Sequence, residues 1–147
     1  MSDEVVDLLK RAYQDEIETV MNYLANAVYL ETFDGNDIAE DLLADVQEEL
    51  NHAEMLGNRL FYYDVAPPAS MDFEPSQTML QPPEDSTNVE GVVDGVIEAE
   101  KDAIETYEAL IQASEEAGDY VTADLATQLL ADEQDHKRAF MSIKKSF

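Results

Sequence analysis

Only two histidines occur in the chain, and each follows a glutamate by three positions: Glu49-Leu50-Asn51-His52 and Glu133-Gln134-Asp135-His136. On a helix, this spacing puts a carboxylate and an imidazole on one face, where both can reach the same cation. Two further glutamates interrupt apolar stripes, Glu16 between Tyr13 and Val20 and Glu100 between Ile97 and Ile104. The Glu-x-x-His pairs also sit on stripes, between Val46 and Leu56 and between Leu129 and Phe140. Six polar groups at core positions need partners, because an unpaired buried carboxylate is strongly destabilising. Four carboxylates carry four negative charges. Two Fe²⁺ ions balance them, with neutral imidazoles completing the coordination, and such a pair can pass two electrons to one oxidant.

The arrangement occurs twice. Glu16 to Glu49 spans 33 residues, as does Glu100 to Glu133, and a shift of 84 carries Glu16, Tyr23, Glu49 and His52 onto Glu100, Tyr107, Glu133 and His136. Two similar helical hairpins related by an approximate twofold axis would set both groups around one centre. Tyr23 and Tyr107, each seven residues after its glutamate, are candidates to donate hydrogen bonds to ligating carboxylates. Glu18, Glu48, Glu98 and Asp132 lie next to or near these positions but off the stripes, and are expected to be solvated.

Long helices are required to hold such a set. The 3- and 4-residue recurrence of apolar positions predicts helices over about 3–32, 37–63, 88–117 and 122 to near the end. Asp37 with Glu40 and Thr87 with Glu90 have capping-box spacing, Gly35 and Asn36 mark a turn, and Gly118 marks a stop. All five prolines fall within about 64–86, where helical periodicity is lost. A helix of ~25 residues is ~37 Å long. At ~3.3 Å per extended residue this connector can cross that length and join the second and third helices in the same direction. The expected fold is all-α: an antiparallel four-helix bundle of two helical hairpins joined by a long crossover, forming a single domain over 1–147.

Composition narrows the function. With 34 Asp plus Glu against 8 Lys plus Arg, the net charge is −26, which disfavours nucleic acid as a partner and attracts cations. Adaptation to high salt, a halophilic source, is the preferred explanation of the charge excess. The chain has no cysteine, excluding disulfides, thiolate zinc sites and cysteine-ligated iron–sulfur centres within it. No apolar run of 18 residues is present and the N-terminus is acidic, so a cytoplasmic protein with no membrane span is expected.

One Glu from each of two helices plus Glu-x-x-His from each of the other two resembles the di-iron carboxylate signature of the ferritin-like superfamily. The stretch from Asp119-Tyr120-Val121-Thr122 to Asp132-Glu133-Gln134-Asp135-His136 is similar to the fourth helix of bacterioferritins and their archaeal relatives. The resemblance covers most of the chain apart from the proline-rich connector. It implies two iron ions bridged by Glu49 and Glu133, with Glu16 and His52 completing one and Glu100 and His136 the other. Manganese is accepted by the same ligands. It further implies a ferroxidase that oxidises Fe²⁺ with O₂ or H₂O₂ through these six residues, in a homo-oligomer whose subunit number the sequence leaves open. Leu50 stands where bacterioferritins carry a haem-ligating methionine, so no haem is expected by that route. Rubrerythrins resemble the pattern too, which keeps a di-iron peroxidase served by an external electron donor as an alternative. Ala103 occupies the place of their extra glutamate. The non-enzymatic alternative is a metal-free acidic helical interaction protein.

Overall fold

The computed structural model describes residues 2–147, so Met1 lies outside the described residues. Four long helices carry the fold: α1 (Asp3–Tyr29), α2 (Phe33–Tyr62), α3 (Val89–Glu116) and α4 (Tyr120–Lys144). Two single turns of 3₁₀ helix, Ser70–Asp72 and Thr78–Leu80, interrupt the crossover, and the described residues contain no strand. Helices α1 and α2 pack closely as one hairpin and α3 and α4 as the other, with α1 against α3 as the main contact between them. No helix among the described residues is long and apolar enough to cross a membrane.

Two helix starts differ from expectation. Helix α2 begins at Phe33, four residues before Asp37, because the Thr32 side chain accepts the Gly35 N–H at 2.9 Å. Gly35 and Asn36 are thereby drawn into the helix. Gly35 is needed there for closeness rather than for a turn, since a Cβ would stand 3.1 Å from Thr32 Oγ1. Helix α3 is capped by Asn88, which accepts from Gly91 N–H at 2.9 Å, whereas Thr87 donates its hydroxyl back to Asp85. Adjacent Asn and Thr are both good caps, and the Thr87–Asp85 turn selects Asn88. Gly118 adopts φ +70° and ends α3; Asp119 then caps α4 by accepting from Thr122 N–H.

The crossover runs along α1, stitched to it by polar contacts. Glu18 accepts the backbone N–H groups of Ser76 and Gln77 at 3.0 and 2.7 Å, Asn22 donates to Gln77, and Asn26 donates to the Leu80 carbonyl. Glu18, expected in solvent, is therefore buried: two backbone donors of the crossover replace its water. The Met79 carbonyl presses on Gly95 of α3, where a Cβ would stand only 2.3 Å away. This seam delivers Leu80 into the core.

The apolar core is divided in two. One cluster gathers Leu30, Leu42, Val46, Leu80, Val93, Val96 and Phe140 with Tyr23; the other gathers Leu9, Leu56, Leu60, Leu110 and Leu129 with Tyr107. Between the two clusters lies a polar layer.

Candidate metal centre

Glu16 comes from α1, Glu49 and His52 from α2, Glu100 from α3, and Glu133 and His136 from α4. All six residues are buried, none more than 7% exposed. They fall into two overlapping sets, Glu16–Glu49–His52–Glu133 and Glu49–Glu100–Glu133–His136, in which the prospective ligand atoms lie within 4.8 Å of one another. Glu49 and Glu133 belong to both sets. The structure thus brings together every residue singled out by the repeated spacing.

The imidazoles turn the same edge inward. His52 Nδ1 lies 3.0 Å from Glu133 Oε1 and 3.5 Å from Glu16 Oε2. His136 Nδ1 lies 3.1 Å from Glu49 Oε1 and 3.6 Å from Glu133 Oε2. The rings are nearly parallel, 6.4 Å between centroids. Their outer Nε2 atoms meet Asp132 at 2.9 Å and Glu48 at 2.7 Å. Both carboxylates, expected to be merely solvated, are half-exposed yet hydrogen-bonded to the histidines. Accepting from Nε2–H favours the tautomer whose Nδ1 lone pair faces the cavity. Off-stripe position conceals this contact, because the partner histidine lies on another helix. Glu98, by contrast, is exposed and pairs with Lys101.

Tyrosines close the layer at both ends in a crossed arrangement. Tyr23 of α1 donates to Glu100 Oε1 at 2.7 Å, and Tyr107 of α3 donates to Glu16 Oε1 at 2.8 Å. Each leaves the second oxygen of its glutamate free. Glu16 Oε2, Glu49 Oε1, Glu100 Oε2 and His136 Nδ1 are buried with no hydrogen-bond partner. His136 Nδ1 and Glu49 Oε1 are close, but their geometry is wrong for a hydrogen bond. Orphaned buried polar atoms are rare in folded proteins, and here four of them converge.

Electrostatics gives the same picture. Burial, then repulsion from Glu133, raises the Glu16 carboxyl above its usual range; burial and neighbouring acids raise Glu49 and Glu100 as well. Burial also disfavours charge on Glu133, but the neighbouring Glu100 carboxyl and the two imidazoles outweigh it and favour the ionised form. Burial would discharge His52 and His136. The surrounding carboxylates, Glu133 first among them, prevail, raising the first to about 11 and the second to about 9. In the metal-free centre, protons thus offset the carboxylate charge. Four carboxylates and two imidazoles are oxygen and nitrogen donors suited to iron or manganese, and the free atoms point where such ions would sit.

Residues 6–145 match the ferritin-like domain family. Over 133 residues the chain is 28% identical to a bacterioferritin of Brucella melitensis biotype 1, a match covering 90% of this chain and 78% of that protein.

Proposed function

Because the chain belongs to the ferritin-like domain family, we propose that it is an iron-handling ferroxidase which takes two Fe²⁺ ions as substrate and oxidises them to Fe³⁺ with O₂ or H₂O₂. The observation that carries this reading is the pair of overlapping buried ligand sets sharing Glu49 and Glu133. Glu16 and His52 would complete one ion, and Glu100 and His136 the other. With H₂O₂ the balance is two Fe²⁺, one H₂O₂ and two protons giving two Fe³⁺ and two waters. Carboxylates serve both oxidation states of iron, which is what an electron-releasing site requires.

The chain's own residues set the conditions. Asp132 and Glu48 hold the histidines with Nδ1 inward, while Tyr23 and Tyr107 fix the rotation of Glu100 and Glu16. The two apolar clusters exclude bulk water from either side. Burial favours a proton on the Glu16, Glu49 and Glu100 carboxyls, and entering cations would displace protons from these groups and from the histidines. In this reading the protein works as a homo-oligomer, as suits a member of this family, and manganese could occupy the same ligands.

Mixing Fe²⁺ with aerated protein is expected to develop near-ultraviolet ferric absorbance faster than in protein-free buffer. Glu49→Ala and His136→Ala should abolish the acceleration; unchanged rates would overturn the assignment. Many rapid turnovers with H₂O₂ and an added reductant, without release of iron, would instead identify a cycling peroxidase. A metal content near zero, unrestored by added Fe²⁺, would identify a metal-free interaction protein.

A further inference from the structure

A narrow cleft of about 80 Å³ opens between α1, α3 and the crossover, and Glu16 forms part of its wall. Four larger surface clefts touch none of the six central residues. Toward solvent the cleft is bordered by Arg11, Asp15 and Asp102, and Gln77 of the crossover forms one side. It exists because α3 presents Ala99 and Ala103 there, side chains too small to fill the gap. On the α2–α4 side, Asp132 and Glu48 pair with His52 and His136 at 2.9 and 2.7 Å.

Asp15 lines the cleft next in sequence to Glu16. Arg11 donates to its Oδ2 at 3.3 Å, and the Arg11 side chain is itself 62% exposed. The other oxygen, Asp15 Oδ1, is buried with no hydrogen-bond partner, as is Glu16 Oε2 of the neighbouring residue. Glu16 is 2% exposed. Two free carboxylate oxygens on consecutive residues of one cleft are an arrangement that a passing cation can satisfy in turn, and negative charge in a narrow low-dielectric cleft raises the local cation concentration.

We infer that divalent cations reach the six-residue centre through this α1–α3 cleft, with Asp15 as the carboxylate that hands them to Glu16. The inference deepens the iron-handling reading and rests on it. Asp15 is a transit residue and Ala103 sets the width of the passage. Exposed Arg11 can swing away from Asp15 as a cation arrives.

Uptake of Co²⁺, which is not oxidised by air in such a site, separates access from chemistry. Stopped-flow absorbance of the visible Co²⁺ bands would be followed for the wild-type chain, Asp15→Asn and Ala103→Leu. Both variants are expected to load about tenfold more slowly, Asp15→Asn by removing charge that focuses the cation and Ala103→Leu by filling the passage. Both should reach the wild-type stoichiometry, and Ala103→Leu should slow Co²⁺ release to a similar extent, leaving equilibrium affinity unchanged. Loading of both folded variants within twofold of wild type would overturn the route. Failure of the wild type to take up any Co²⁺ would overturn the metal centre itself, and the route with it.

Discussion

Tyr107 on α3 donates its hydroxyl to Glu16 on α1 at 2.8 Å, and the reverse bond, from Tyr23 on α1 to Glu100 on α3, has almost the same length at 2.7 Å. The hairpins are therefore joined at their polar layer by two equivalent, oppositely directed hydrogen bonds. Replacing Tyr107 by Phe deprives a buried carboxyl of its donor, at a cost of about 1–3 kcal/mol. Urea unfolding of the metal-free protein should show that loss, with a matching loss in Tyr23→Phe. If only one variant is destabilised, the two bonds are not equivalent.

Metal should stabilise the fold. Binding confined to the native state contributes about 2.7 kcal/mol when the free ion is at 100 times its dissociation constant. Adding Mn²⁺ to chelator-treated protein should therefore raise the melting temperature, and His52→Ala together with His136→Ala should erase most of the rise. Equal melting with and without the ion would contradict a buried site.

Asp119 joins the bundle at its far end. It caps α4, pairs with Arg59 at 3.0 Å, and accepts from the Tyr63 hydroxyl. Asp119→Ala is expected to cost about 2 kcal/mol, the upper part of the range for a lost cap. Asp119→Asn should cost less, because Asn also caps well.

Acid should act through the same residue. Burial tends to raise the Asp119 carboxyl, but hydrogen bonds from Thr122, Tyr63 and Arg59 prevail and hold it below its usual range. A depressed folded-state value means that its contribution is complete above the unfolded value of about 3.9 and fades as pH falls through the folded one. The stability difference between wild type and Asp119→Asn should thus be constant near neutrality and shrink below about pH 4. A difference that persists unchanged at pH 2 would exclude this origin.

Gly95 tests the crossover seam. Alanine is the better helix former by about 1 kcal/mol, yet its Cβ would meet the Met79 carbonyl at 2.3 Å. Gly95→Ala should be net destabilising by about 1–2 kcal/mol, since backbone must move to relieve the overlap. A variant as stable as wild type would show that the crossover yields freely.

The helices and the polar layer were legible because they repeat: Glu16, Glu49 and His52 gain their meaning from a second copy 84 residues on. Tyr23 and Tyr107 carried the same signal. The sequence could not reveal the partners of Glu18, because a burial satisfied by Ser76 and Gln77 backbone depends on where the crossover lies. The contacts of Asp132 and Glu48, expected in solvent, are hidden for a related reason, since each serves a histidine on a different helix. Thr32 and Asn88 replaced the expected caps where several adjacent residues could serve and only tertiary packing decided.

The division of labour within the central layer also sets how it can fail. Each hairpin furnishes three groups to its own ion set and lends one, Glu49 or Glu133, to the other. Injury to Glu16 or Glu100 is local, so such a chain should keep a single ion, whereas injury to either lent residue disables both positions together. A solitary hairpin would lack a complete ligand shell unless it met a second copy of itself, which makes cation capture a sensor of whether the two halves have docked.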